Sequence, residues 1–228
     1  MKIELNIWTA TLLLSSTAGF CDTSTFVAVD QIFSAHVTGN FIVFAYEVIR
    51  GSDTSSWIRL STFPVFIISV LIGGWVMGRS SKKYALLIAE GTILIIGGLL
   101  AWSLKVSGAD HRNWATYFDV MLVVFGMGFQ NAFGKIFSKE TYGPTTVMTG
   151  NVTQAALDIF NMITSKLKDA ATLSSFKRQF VTIGGFLIGC LAGAVVTNYV
   201  GLTAVALPGL IMVIYFGLKP TDHALSVT

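Results

Sequence analysis

From Gln179 to Leu218 the chain runs without a single Asp, Glu, Lys or Arg, about twice the ~20 apolar residues that one helix needs to cross a bilayer. Such a run is expected to cross, fold back near Asn198 to Gly201, and cross again. Further windows of crossing length lie at Leu60 to Gly78, Tyr84 to Leu104 and Trp114 to Phe133. The opening segment, Ile7 to Val29, is also long enough, although Gly19 and Asp22 interrupt it. Only 12% of the 228 residues are charged and mean hydropathy is +0.70, against roughly 25% charged in soluble domains. The expected class is therefore an all-α integral membrane protein forming one transmembrane domain, with the lipid bilayer as its first partner. Lys2 ahead of an apolar run imitates a secretion signal, but Glu4 spoils the positive end and Phe20 before Cys21 is wrong for a lipoprotein site. That segment is read as the first membrane helix.

One polar motif occurs twice. Gly19 to Asn40, GFCDTSTFVAVDQIFSAHVTGN, returns altered as Gly128 to Asn151, GFQNAFGKIFSKETYGPTTVMTGN. Asp22 corresponds to Asn131, and Thr38-Gly39-Asn40 to Thr149-Gly150-Asn151. Seven residues beyond each Asn stands an acid, Glu47 or Asp158. If helix begins near Thr-Gly-Asn, amide and carboxylate share a face roughly 10 Å apart. LLIAEGTILII from Leu86 also lies over AVALPGLIMVI from Ala204, pairing Glu90 with Pro208 and Gly91 with Gly209. The chain is thus expected to hold two internal repeats, approximately 1–109 and 110–228.

The distribution of basic residues selects a topology. With six full spans and two broken or half-length helices after the Thr-Gly-Asn motifs, eleven of the fifteen Lys and Arg, including Lys2, Lys166 and Lys168, fall on one side. Arg50, Arg59, Lys105 and Arg112 fall on the other. Eight spans divide them ten to five. The six-span arrangement fits the positive-inside rule better and places both termini in the cytoplasm. Three crossings per half make the repeats inverted, so that both motifs enter from opposite faces, where discontinuous helices build substrate sites. Eight spans would make the repeats parallel.

Gly19-Phe20-x-Asp22, Phe33-x-x-His36-x-Thr38-Gly39-Asn40, Gly128-Phe129-Gln130-Asn131-Ala132 and Thr146-x-Met148-Thr149-Gly150-Asn151 together resemble the YoaK-type family of bacterial membrane proteins, a domain of unknown function. The resemblance covers nearly the whole chain and departs from the family pattern at Thr23, where Ala is usual. It implies a small multi-span protein of the bacterial inner membrane, presumed to be a permease, and supplies no substrate.

Asp22, in mid-span, must be paired, hydrated or protonated. It is read either as a proton or cation site or as an acid capping backbone N–H groups freed near Gly19. Thr38, Asn40, Thr149 and Asn151 are read as cavity-lining groups, with simple helix capping as the alternative. Together with Asp22 and Asn131 they make up the expected solute or ion site. His36, whose counterpart is Val147, could relay protons with Asp22, Glu47 and Asp158, or serve only as a hydrogen-bonding residue. Glu47 and Asp158 read equally well as interfacial acids. Glu90 is a further buried acid, although Pro208 opposite it points to a helix irregularity. Gly74-x-x-x-Gly78 and Gly185-x-x-x-Gly189-x-x-x-Gly193 permit close helix contact, within the chain or in a homodimer. Cys21 and Cys190 are read as packing residues. Asn151-Val152-Thr153 matches a glycosylation acceptor in a segment expected to be membrane-embedded.

No metal-ligand spacing, no nucleophile beside a base, no phosphate loop and no basic run for nucleic acid occurs, so neither an enzyme, a metal site nor a cofactor is expected. The first functional expectation is a small-solute permease, proton-coupled through Asp22 and His36, its solute unknown. The alternatives are a passive channel with facing half-helices and a non-transporting subunit or sensor.

Overall fold

The structure, a computed structural model, describes residues 6–51, 54–109, 113–164 and 169–219. Lys2, Arg112, Lys166 and Lys168, which entered the topology count, and Glu4 lie outside the described residues. In chain order the helices are α1 (Ile7–Ala28), α2 (Gly39–Gly51), α3 (Thr54–Met77), α4 (Ala85–Val106), α5 (Trp114–Ile136), α6 (Met148–Thr164), α7 (Ala170–Val200) and α8 (Ala206–Gly217), with a 3-10 turn at Gly201–Val205. There is no strand among the described residues. Three stretches are long and apolar enough to cross a membrane: Ser56–Met77, Ala85–Val106 and the continuous run Ala170–Gly217.

Local chemistry sets the helix ends. Asn6 accepts a hydrogen bond from the Trp8 amide at 3.0 Å and opens α1, and Asn113 does the same for Ala115 at the start of α5. Asp169 opens α7, where the Thr172 hydroxyl and the Ala171 amide hold its carboxyl below the ordinary carboxylate range. The charge-free run breaks at Gly201, whose φ of +69° suits a residue without a Cβ, and turns through Gly201–Val205 into α8. The fold-back expected near Asn198 to Gly201 is there. Gly19 and Asp22, by contrast, do not interrupt α1, which runs unbroken through both.

Helices α1 with α7, α4 with α8, α4 with α5 and α3 with α5 make the core. α1 packs most extensively on α7, side by side and parallel: Ser16 Oγ donates to Gly185 O at 2.9 Å, and further along Thr197 Oγ1 donates to Ser24 Oγ at 2.8 Å. A Cβ on Gly189 would fall 2.0 Å from Ser16 O, so only glycine permits this approach. α3 packs on α5, also parallel, with Ser69 Oγ donating to Phe125 O. α4 and α8 cross antiparallel where Gly91 and Gly209 meet: a Cβ on either would lie 2.8 or 2.7 Å from the other's carbonyl oxygen. α4 also packs on α5, α2 on α3, and α6 on α7.

The two glycine motifs fare differently. Gly185, Gly189 and Gly193 all face α1, so the intramolecular reading holds for them. Gly74 has nothing within 4 Å of its Cβ position, and Gly78 only its own preceding turn. The close contact of α3 is made one residue away, at Gly73, where a Cβ would meet Ala132 at 3.0 Å. Large apolar side chains remain exposed along the outside, including Ile68 and Leu71 on α3 and Leu187, Leu191 and Val195 on α7. Buried Leu14, Leu87, Leu94, Val123, Met127 and Met212 fill the inside.

Candidate functional site

Beyond α1 the chain reverses through Asp30 and Gln31, both in the left-handed region with φ of +42° and +56°. That conformation costs a residue with a Cβ, and the surroundings hold it. Tyr117 Oη donates to Asp30 Oδ2 at 2.5 Å, and Arg59 of α3 donates to the Asp30 carbonyl. The reversed segment then runs back along α1 to the level of Asp22. There the carboxylate accepts from the Ala35 amide at 2.5 Å, the His36 amide at 3.3 Å and the Ser34 hydroxyl at 3.3 Å, and makes a short contact with His36 Nδ1. Asp22 is buried and fully engaged. The amides it binds belong to residues 35 and 36, not to the turn near Gly19, because α1 frees no amide there.

Asn40, completely buried at the start of α2, closes the same loop. Its side chain accepts from the Phe33 amide at 2.8 Å, donates to the Phe33 carbonyl at 2.9 Å, and donates to Thr62 Oγ1 of α3 at 3.0 Å. In the other half Asn151 donates to the Pro144 carbonyl at 2.9 Å and the Val147 carbonyl at 3.3 Å. Pro144 has no N–H to return, so the two-way bond made at Phe33 has no equivalent. Asn131 accepts from Thr146 Oγ1 at 2.7 Å and donates to Met127 O at 3.0 Å. Each Asn and its motif partner thus latch a folded-back segment to a helix.

Thr38 and Thr149 are exposed. Glu47 pairs with buried Arg59 at 2.5 Å, and Asp158 accepts from Gln154 at 2.9 Å. Glu47 faces α3, as Asn40 does, in keeping with the spacing. Neither acid touches the Asp22–His36 pair, so the four groups of the expected relay are not joined. Asp22 and His36 line one apolar cavity with Phe26, Phe33, Phe186 and Cys190. Asn131 lines another, with Gln130, Thr145 and Thr146. Asn40 and Asn151 line neither. Gln130 meets α1 at Leu14 O, 2.9 Å away, which is about 12 Å along the helix from Asp22 at ~1.5 Å rise per residue. The six residues of the expected binding site therefore occupy two places.

Other buried groups have no such satisfaction. Glu90 of α4 is fully buried, beside Gly126 of α5, and neither carboxyl oxygen has a partner. Asp119 of α5 is also fully buried with both oxygens unpartnered. Thr17 Oγ1 and Gln130 Oε1 are unpartnered as well. Asp119 sits beside Gly97, on the same α4 face as Glu90 and about 10 Å further along. It lines a cavity of about 230 Å³ between the ends of α1, α4 and α7 and the start of α5. The described residues contain no cluster of three metal-ligating side chains. Asp119 escaped the sequence reading, since it falls outside the duplicated motif. The one available signal was an acid inside the apolar window from Trp114 to Phe133.

A family model, described as a protein of unknown function (DUF1275), matches residues 10–218. No curated protein and no solved structure gives a match.

Proposed function

The chain belongs to the DUF1275 family, and we propose that it is a small-solute permease of the bacterial inner membrane, coupled to protons and built from two inverted repeats. The observation that carries this reading is Glu90, a carboxyl group at the centre of the bundle whose oxygens have no partner among the described residues. An ionised carboxylate at membrane depth is costly, so it must hold a proton or meet a cation. A group that can do either in turn is what coupled transport requires.

The helix directions support six crossings. Gln130 of α5 meets Leu14, and Tyr142 donates through its amide to Thr11 Oγ1, so α5 ends beside the start of α1. Tyr117, near its beginning, meets Asp30 at the end of α1. α5 therefore runs opposite to α1, as inversion demands. Arg59 ties the start of α3 to the end of α1, so α2 leaves on the side from which its loop entered. The parallel contact of α1 with α7 has its counterpart in α5 with α3, and Gly91 meets Gly209 where a two-fold relation would place its axis. Arg79, Lys82, Lys83, Lys135, Lys139, Lys177, Arg178 and Lys219 gather at the end where α1 begins, against Arg50, Arg59 and Lys105 at the other. That end is cytoplasmic under the positive-inside rule.

Uptake of labelled amino acids, sugars, carboxylates and small cations into proteoliposomes, with and without an imposed pH gradient, tests the reading. At least one solute should enter saturably and faster down the gradient, and Glu90→Gln should remove the gradient dependence. Flux that ignores both gradient and substitution would make the protein a passive channel. No flux above protein-free vesicles would make it a non-transporting subunit.

A further inference from the structure

We infer that the cavity at Asp119 is a binding site for a small monovalent cation, an alkali-metal ion or a small quaternary ammonium. The inference rests on the permease reading only in taking that cation to be the transported solute. Asp119 is entirely buried, yet it lines a cavity of about 230 Å³ and neither of its oxygens finds a partner among the described residues. The cavity is bounded by Ala28 and Val29, Leu104 and Lys105, and Val200 and Gly201, the C-terminal ends of α1, α4 and α7. The last turn of a helix is the negative end of its dipole, although at these ends Leu104 O and Val29 O already accept from Ala109 N and Ile32 N. Three such ends and a carboxylate give a space of negative potential, also lined by Thr116 and Thr203. The carboxylate and the negative helix ends offset the cost of removing a small monovalent cation from water, and broken helices in transporters hold cations in the same way.

Two positive influences face the cavity and do not fill it. The N-terminus of α5 lies there, capped by Asn113, and the Lys105 ammonium is drawn to Tyr199 O at 3.5 Å, at the end of α7. Gly97 is part of the site. A Cβ there would stand 3.0 Å from Asp119 Oδ1, so glycine leaves the carboxylate its room.

The test is thermal unfolding of the detergent-purified full chain in chloride salts of Na⁺, K⁺ and tetramethylammonium, with N-methyl-D-glucamine holding ionic strength constant. A ligand bound only by the folded state should raise Tm saturably, by about 5 °C or more at a hundredfold excess over Kd. The cation that does so identifies the source. Asp119→Asn should abolish the rise, and Gly97→Ala, which keeps the carboxylate but crowds it, should shift it to at least tenfold higher cation concentration. No rise over N-methyl-D-glucamine with any of the three salts, or an unchanged response in Asp119→Asn, overturns the inference. Stabilisation without vesicle uptake would leave the site standing and remove the permease. Gradient-driven uptake of an uncharged solute with no cation stabilisation would do the reverse.

Discussion

Asn40 and Asn151 occupy matching places in the two motifs, yet they carry different loads. Asn40 exchanges two bonds with Phe33 and gives a third to Thr62, all of them buried or nearly so. Asn151 donates to two carbonyls and receives nothing from Pro144. Each buried hydrogen bond contributes about 1 kcal/mol, and an orphaned partner costs more. Asn40→Ala should therefore cost about 3 kcal/mol and Asn151→Ala about 2 kcal/mol, read as the difference in denaturant or thermal midpoints of the two purified variants. Equal losses would mean that the Phe33 bonds contribute nothing. At this scale the sequence announced the polar motif and left its chemistry open. An Asn before an apolar helix can cap, line a cavity or latch a loop, and which of these it does depends on where residues seven positions earlier return in space.

The helix pairs show the same division. In α7, Gly189 lies so close to Ser16 that a Cβ would meet backbone oxygen at 2.0 Å, whereas Gly184 has nothing within 4 Å. Replacing glycine by alanine in a helix gains about 1 kcal/mol of propensity, while overpacking a filled interface costs about 3 kcal/mol, sometimes more. Gly184→Ala should leave the midpoint unchanged or raise it, and Gly189→Ala should lower it or prevent accumulation of folded protein. The helices themselves were legible, since charge-free runs of crossing length declare themselves and Gly201 ends α7 where the run had to turn. The partners were not. Gly74-x-x-x-Gly78 has the same spacing as the α7 motif but points away from the bundle, because α3 turns Gly73 toward α5 instead. Spacing fixes which residues share a helix face and says nothing of which face meets a neighbour.

For the molecule as a whole, the proposed six crossings place the α3–α4 and α4–α5 links on opposite sides of the membrane. In a background with Cys21 and Cys190 replaced by alanine, an impermeant maleimide applied to intact cells should label Ser107→Cys and leave Ser81→Cys unlabelled until the cells are opened. Both positions are exposed. Labelling of both, or of Ser81→Cys alone, would discard the cytoplasmic placement of the termini. What the sequence by itself determined is the helical, apolar class, three stretches long and apolar enough to cross a membrane and the turn near Asn198 to Gly201, which follow from local composition and periodicity, and its family, which follows from the motif residues. The tertiary structure alone decided that Asp22, Asn40, Asn131 and Asn151 are consumed in latching two folded-back segments, and that the buried acids with no partner among the described residues are Glu90 and Asp119. Whether a buried carboxyl is satisfied depends on which other helix faces it, and that contact joins residues far apart along the chain.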